Sequence, residues 1–331
     1  MHDVNDDIQI GLAADEKYFP GLFATAVSIA KFADTTSKLV FNIVDGGIDP
    51  NKIKTLSYAI ARYHARSEIR VFELKSAANN VFPLKMNYAR LLLPEFLPNV
   101  DHIIYCDVDF LWMADVSLLW RLRRDDIIVQ STPDLAFTQE REAGWLLENG
   151  VSIDAKRYFC SGLMVINLKL FRDYGIANKL AEFLNKYNDV PFLDQTALNA
   201  VLLPLPNGVG EISTEWQRYA LAVESVDFLR PMALHYSGLC PWSRMRVIPD
   251  VVDFWFQAMA KMSGYGFQEI RRQYYSRLQY VLGRVSFLFL SVSIVRRIIG
   301  SIASKLKGKM YAEYVAMILR HINCSAKAFH L

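Results

Sequence analysis

The feature that most constrains this chain is its order of apolar runs over the first 110 residues. Short strand-like runs alternate with longer helical patterns. Ile8–Ala14 reads as a strand, 20–32 as a helix with Leu22, Ala26, Ile29 and Ala30 on one side, and 39–44 as a second strand closed by Asp45-Gly46-Gly47. Asp49-Pro50 opens a helix over about 51–64, 69–73 is a third strand, 87–93 a helix and 103–107 a fourth strand. Further on, 127–130 and 163–167 are strand-like and 195–202 is helical. Such alternation predicts an α/β fold with a mostly parallel, Rossmann-like central sheet flanked by helices. In such sheets ligands sit beyond the carboxyl ends of the strands. Asp15, Asp45 and Asp107 all fall at such ends.

The fourth strand runs directly into two carboxylates, in HIIYCDVDFLW over 102–112. Burying an unpaired charge costs several kcal/mol, on the order of the penalty for any uncompensated buried ion. Two aspartates spaced i, i+2 at a strand end, Asp107 and Asp109 with Val108 between them, converge on one divalent cation if the chain turns there. Hard oxygen ligands suit Mg²⁺ or Mn²⁺. The alternative is that both residues cap a turn. A second candidate element is HYSGLCPW over 235–242, with His235 near the end of a short apolar strand and Gly238 permitting close backbone approach to a ligand. His235 is either a third ligand to the same ion or a hydrogen-bonded core residue. No G-x-G-x-x-G and no G-x-x-x-x-G-K-[ST] occurs, so the two commonest phosphate-cradling loops are absent.

Five stretches in order carry a resemblance: IGLAADEKYFPGLFATAVSI, NYARLLLPEFLP, HIIYCDVDFLW, YFCSGLMVINL with LDQTALN, and HYSGLCPW. Over roughly residues 8–245 the chain resembles the retaining glycosyltransferases of family 8, which include bacterial lipopolysaccharide galactosyl- and glucosyltransferases and glycogenin. The resemblance implies a GT-A fold, Mn²⁺ (or Mg²⁺), a UDP-hexose donor carrying galactose or glucose, and retention at the anomeric carbon. It implies that Asp107, Asp109 and His235 hold the metal. It places Ala13, Asp15 and Tyr18 at the uracil, Arg90 near the donor sugar, and Asp194 and Gln195 beside the sugar ring and the reacting carbon. Val108, Cys160, Gly238 and Arg244 complete the expected donor-binding set. The chain departs from the pattern in two places. The lysine of the family's H-x-x-G-x-x-K-P-W is missing, leaving Arg244 or Arg246 as replacements, and Cys160 stands where an asparagine is usual. Asp194 has a second reading as a helix N-cap, since Gln-Thr-Ala-Leu-Asn follows it. Gln195 is a poor nucleophile, so front-face attack is expected, the departing phosphate taking the acceptor's proton.

Charge divides the chain. The formal net charge is +3, but 267–331 holds 11 Lys and Arg against 2 acidic residues, leaving 1–266 at −6. The expected organisation is therefore a catalytic domain over 1–266 and a basic, aromatic, helical segment over 267–331 lying on an anionic membrane surface. A packed helical subdomain is the alternative. The longest apolar-plus-Ser run, Val285–Val295, has eleven residues, against about 20 for a membrane span. The acidic body and the absence of nucleic-acid motifs argue against nucleic acid. Four cysteines without a CxxC pair, and an acidic N-terminus unlike a signal peptide, suggest a reducing compartment. The expected setting is cytoplasmic, peripheral on the inner face of the cytoplasmic membrane, with a glycan or glycolipid acceptor such as lipopolysaccharide core. The competing functions are a catalytically weak UDP-sugar-binding or scaffolding protein and a soluble self-glucosylating primer.

Overall fold

The computed structural model describes residues 7–77, 82, 85–187, 190–220, 231–237, 240–242, 249–264 and 269. In chain order the elements are β1 (Ile8–Ala14), α1 (Phe19–Phe32), β2 (Leu39–Asp45), α2 (Pro50–Ala61), β3 (Ser67–Glu73), α3 (Leu93–Phe96), β4 (His102–Cys106), β5 (Phe110–Trp112) and α4 (Val116–Trp120). There follow β6 (Val129–Pro133), α5 (Ala136–Glu148), β7 (Phe159–Asn167), α6 (Leu168–Asp173), α7 (Ile176–Lys186), α8 (Leu193–Leu202), β8 (Val209–Glu211), β9 (Arg218–Tyr219), β10 (Ala233–His235) and α9 (Pro249–Ser263). Among the described residues the chain forms two compact units, one within 1–108 and 114–216, the other within 109–113 and 217–331.

The first unit holds a seven-stranded sheet in the order β3-β2-β1-β4-β7-β6-β8. Four of its six pairings are parallel, and both pairings of β7 are antiparallel. The sheet is thus mixed and mostly parallel, as the β/α alternation predicts. β7 reads as nine consecutive buried residues, and β2 as six before Asp45, because each is covered on both faces. Helices α1 and α2 pack on each other and on β1 and β3, while α3, α6, α7 and α8 form a second group against β4 and β7. Ten successive residues of α1, Gly21 to Ala30, are buried, so the helix has no solvent face and its expected one-sided stripe is part of an all-round apolar surface.

The helix expected over 87–93 is instead a 3₁₀ stretch, Met86–Leu92, followed by α3. Pro94 has no N–H to donate to the Arg90 carbonyl, so an α-helix cannot run through. That break sets the backbone that carries Arg90.

In the second unit β10 pairs antiparallel with β5 and parallel with β9. Asp109 directly precedes β5, and the Tyr236 N–H donates to the Asp109 carbonyl at 2.8 Å. Among the described residues, no helix is long and apolar enough to cross a membrane.

Candidate active site

The carboxyl edge of the first unit's sheet carries Asp15, Asp45 and Asp107. The parallel register of β1 with β4, Gly11 opposite Tyr105, brings Asp107 level with Ala13. Asp15 accepts the Tyr18 N–H at 3.0 Å and so caps the turn into α1, leaving Tyr18 exposed on the rim with the Lys17 ammonium 5.8 Å from its ring centre.

Arg90 organises the centre. Its Nη2 lies 2.8 Å from Asp107 Oδ1 and its Nη1 donates to the Ser161 carbonyl at 2.6 Å and hydroxyl at 3.0 Å. Its Nε lies 2.9 Å from Asp194 Oδ2, an ion pair whose alignment falls short of a hydrogen bond. The guanidinium sits 4.7 Å over the Tyr105 ring, and the Tyr105 hydroxyl donates to Asp107 Oδ1 at 2.8 Å. Burial opposes the Arg90 charge, but Asp107 and Asp194 outweigh it and raise its pKa above the ordinary guanidinium value. Burial likewise raises the Tyr105 hydroxyl well above its usual range, against the pull of Arg90, so it stays a donor to Asp107.

Asp194 is 5% exposed. Burial pushes its carboxyl up to about 6; Arg90 opposes the rise and Asp107 adds to it. Helix α8 begins at Leu193 with Phe192 as its cap, so Asp194 lies in the first turn and is not the N-cap residue. The N-cap reading fails because the helix starts two residues earlier than the motif suggests. Gln195 is held at both ends of its amide: Nε2 donates to Asp134 Oδ2 at 2.9 Å and Oε1 accepts the Ser161 N–H at 3.0 Å. That pairing fixes which end is oxygen, because Ser161 N–H can only donate and ionised Asp134 only accept. Cys160 is buried on β7, and its carbonyl accepts from the Ser131 hydroxyl at 2.6 Å.

In the second unit, His235 is 4% exposed and stacked between Phe110, with ring centres 4.2 Å apart, and Tyr219, at 5.2 Å. The β5–β10 register places Phe110 opposite His235, which aligns the ring with the residue before the strand. His235 Nε2 lies 3.2 Å from Asp109 Oδ1. That oxygen is buried and has no hydrogen-bond donor among the described residues. Asp109 and His235 of this unit each offer one ligand atom, and Asp107 precedes Asp109 by two positions in the chain. Two carboxylate oxygens and an imidazole nitrogen suit a divalent cation of the Mn²⁺ or Mg²⁺ class. An orphaned carboxylate oxygen 3.2 Å from an imidazole nitrogen fits two neighbouring ligands of one ion with bonds of about 2.1 Å.

Of the residues expected from the sequence, Asp107 and Asp194 thus meet at Arg90, Ser161 links Arg90 to Gln195, and Asp109 meets His235. Val108 is buried between the two aspartates. Gly238, Arg244 and Arg246 lie outside the described residues. Three participants escaped sequence reasoning: Tyr105, Ser161 and Asp134. The signal for Asp134 was available, since it follows a strand directly, as Asp15 and Asp107 do.

A profile described as glycosyl transferase family 8 matches residues 9–246. General stress protein A of Bacillus subtilis is 30% identical over 199 residues, 57% of this chain and 67% of that protein. The apo structure of the bifunctional glycosyltransferase WbbM superposes with a TM-score of 0.68 at 19% identity, covering 83% of this chain and 53% of that one. The galactosyltransferase LgtC, solved in complex with donor and acceptor sugar analogues, gives a TM-score of 0.61 at 21% identity, covering 78% of this chain and 95% of LgtC. The chain therefore spans about half of WbbM and nearly all of LgtC, and both share its fold.

Proposed function

Because the chain belongs to glycosyl transferase family 8, we propose that it is a retaining, metal-dependent hexosyltransferase that moves galactose or glucose from a UDP-sugar to a cell-surface glycan or glycolipid. Lipopolysaccharide core is the acceptor class this reading favours. The observation that carries it is the pairing of one buried arginine with two carboxylates, Asp107 at 2.8 Å and Asp194 at 2.9 Å, beside the doubly anchored amide of Gln195.

In this reading Asp107, Asp109 and His235 would hold Mn²⁺ or Mg²⁺, and the bound ion would neutralise the donor diphosphate. Ala13, Asp15 and Tyr18 take the uracil at the carboxyl edge of the sheet. Arg90 keeps Asp194 and Asp107 ionised together, at the spacing its own guanidinium dictates. Asp194 then accepts hydrogen bonds from hydroxyls of the donor hexose. Gln195 has both amide ends engaged, so it orients the sugar and does not attack it. With Gln195 so held and the Asp194 carboxylate engaged with sugar hydroxyls, front-face transfer is favoured, the acceptor proton passing to the departing phosphate. Gly238 and Arg244 complete the donor site, and Arg244 or Arg246 supplies the cation of the missing lysine. The reading extends to 267–331 as a basic segment on the inner face of the cytoplasmic membrane, following a catalytic domain over 1–266.

Incubating the protein with UDP-galactose or UDP-glucose and following UDP release tests the reading. Release should require Mn²⁺ or Mg²⁺ and stop with chelator, and proton NMR of the first sugar product should show the α-anomer. Metal-independent release, or β-product at early times, would exclude it.

A further inference from the structure

Helix α8, which carries Asp194 and Gln195, begins on a strained residue. Leu193 has φ 46°, a left-handed backbone that residues with a Cβ rarely adopt. Phe192, the cap, has no polar side chain to hold the turn. The restraint comes from three other residues. The Phe192 N–H donates to the Thr196 hydroxyl oxygen at 3.1 Å, and that hydroxyl donates to Glu142 Oε2 at 2.7 Å. Glu142, on α5, is fully buried. Its other oxygen takes the Arg141 guanidinium, with Nε at 2.7 Å and Nη2 also in contact. The same guanidinium lies 4.3 Å over the Phe192 ring.

These contacts close a ring from the Phe192 backbone through Thr196, Glu142 and Arg141 to the Phe192 side chain. A hydroxyl has one proton to give. With that proton committed to Glu142, the lone pairs of Thr196 are presented to the Phe192 N–H. A carboxylate buried away from water is thus spent on the geometry of one turn, and that turn is where the strain sits. Strained backbone persists where the surroundings over-determine it, and it collects at sites whose geometry matters.

We propose that Glu142 is a positioning residue: through Thr196 it holds the strained Leu193 turn and so sets the directions of Asp194 and Gln195. The role rests on the reading of those two residues as the groups beside the donor sugar.

The test uses the full chain with Glu142→Gln, Thr196→Val and Thr196→Ser, each also combined with Leu193→Gly. Gln keeps the shape of Glu142 and loses its charge; Ser keeps the hydroxyl that Val lacks. Glycine takes a left-handed φ without strain, and Leu193 is exposed enough to lose little packing. The first readout needs no turnover. Amide hydrogen exchange over 190–197 should rise about tenfold in Glu142→Gln and Thr196→Val, and stay at the parent level in Thr196→Ser. Leu193→Gly should remove part of the excess. The second readout is UDP release from UDP-galactose or UDP-glucose with Mn²⁺. There kcat should fall about tenfold in the same two variants, with a smaller change in KM, and recover in part with Leu193→Gly. Unchanged exchange over 190–197 in both variants, a rise in KM at constant kcat, or no recovery with Leu193→Gly would overturn the proposal. If the parent turns over neither donor, the functional reading fails, and the exchange comparison alone decides the role of Glu142.

Discussion

Replacing Arg90 with Met removes one cation from between two carboxylates and tests the core of the site. The side chains of Arg90 and Asp194 are 9% and 8% exposed, and that of Asp107 27%. Breaking a buried ion pair by removing one partner costs about 3–5 kcal/mol. The lower end applies, since water reaches Asp107. For a unit of this size about 3 kcal/mol corresponds to a melting temperature lower by roughly 6–12 °C. The pH dependence follows from Asp194. Its folded pKa is raised from 3.8 to about 6, so its ionised form costs the parent about 3 kcal/mol at neutral pH. That penalty is present above the folded value, fades as pH falls through about 6, and is gone below the unfolded value. Without Arg90 the folded pKa rises further, and the variant regains stability on acidification from a higher pH than the parent does. The deficit in a thermal melt should therefore be larger at about pH 7.5 than at about pH 5. A variant melting within about 2 °C of the parent at the higher pH, or with an equal deficit at both, would refute the reasoning.

Donor turnover should show an acid limb near pH 6, as Asp194 gains a proton among Arg90, Asp107, Tyr88 and Tyr105. Asp194→Asn should leave a much slower enzyme without that limb, and an unchanged limb in the variant assigns it elsewhere. In the full chain, Arg296→Glu with Arg297→Glu should weaken co-sedimentation with vesicles of anionic lipid, each basic residue contributing about 1 kcal/mol near such a surface. Equal sedimentation of parent and variant would remove the membrane reading of 267–331.

Strands β1, β2 and β4 were legible because each is a largely apolar run ended by an aspartate, and those aspartates pointed to the candidate site. The antiparallel setting of β7 was not legible, since a strand buried on both faces looks the same in either direction. The edge strand β3 starts at Ser67, two residues before the expected strand, because its polar residues face partly into solvent and blur the pattern. Strand β6 runs over 129–133 where 127–130 was expected, since Ile127 and Ile128 are buried ahead of the ladder. Strands β5, β8 and β9 have two or three residues each, too few for any period to show. At the site, motif residues were legible one by one. Their bonding was not, because Arg90 meets Ser161 and Asp194 across 71 and 104 positions of chain. Glu142 illustrates the limit: in AFTQEREAGWLLE it reads as one more solvated acid, and only the fold buries it against Thr196.

The central claim is that Asp107, Asp109 and His235 act together on a divalent ion that holds the donor diphosphate. Titration calorimetry of UDP into the 331-residue chain, with and without Mn²⁺, measures it directly on the parent and on Asp109→Ala. The substitution keeps the Asp109 carbonyl that accepts the Tyr236 N–H, and a thermal melt of the variant checks that it is folded. UDP should bind the parent with Mn²⁺ at least about tenfold more tightly than without it, a difference of about 1.4 kcal/mol, and the variant should show no such gain. A variant that keeps the full Mn²⁺-dependent gain, or a parent that binds UDP equally well with and without the metal, would contradict the account.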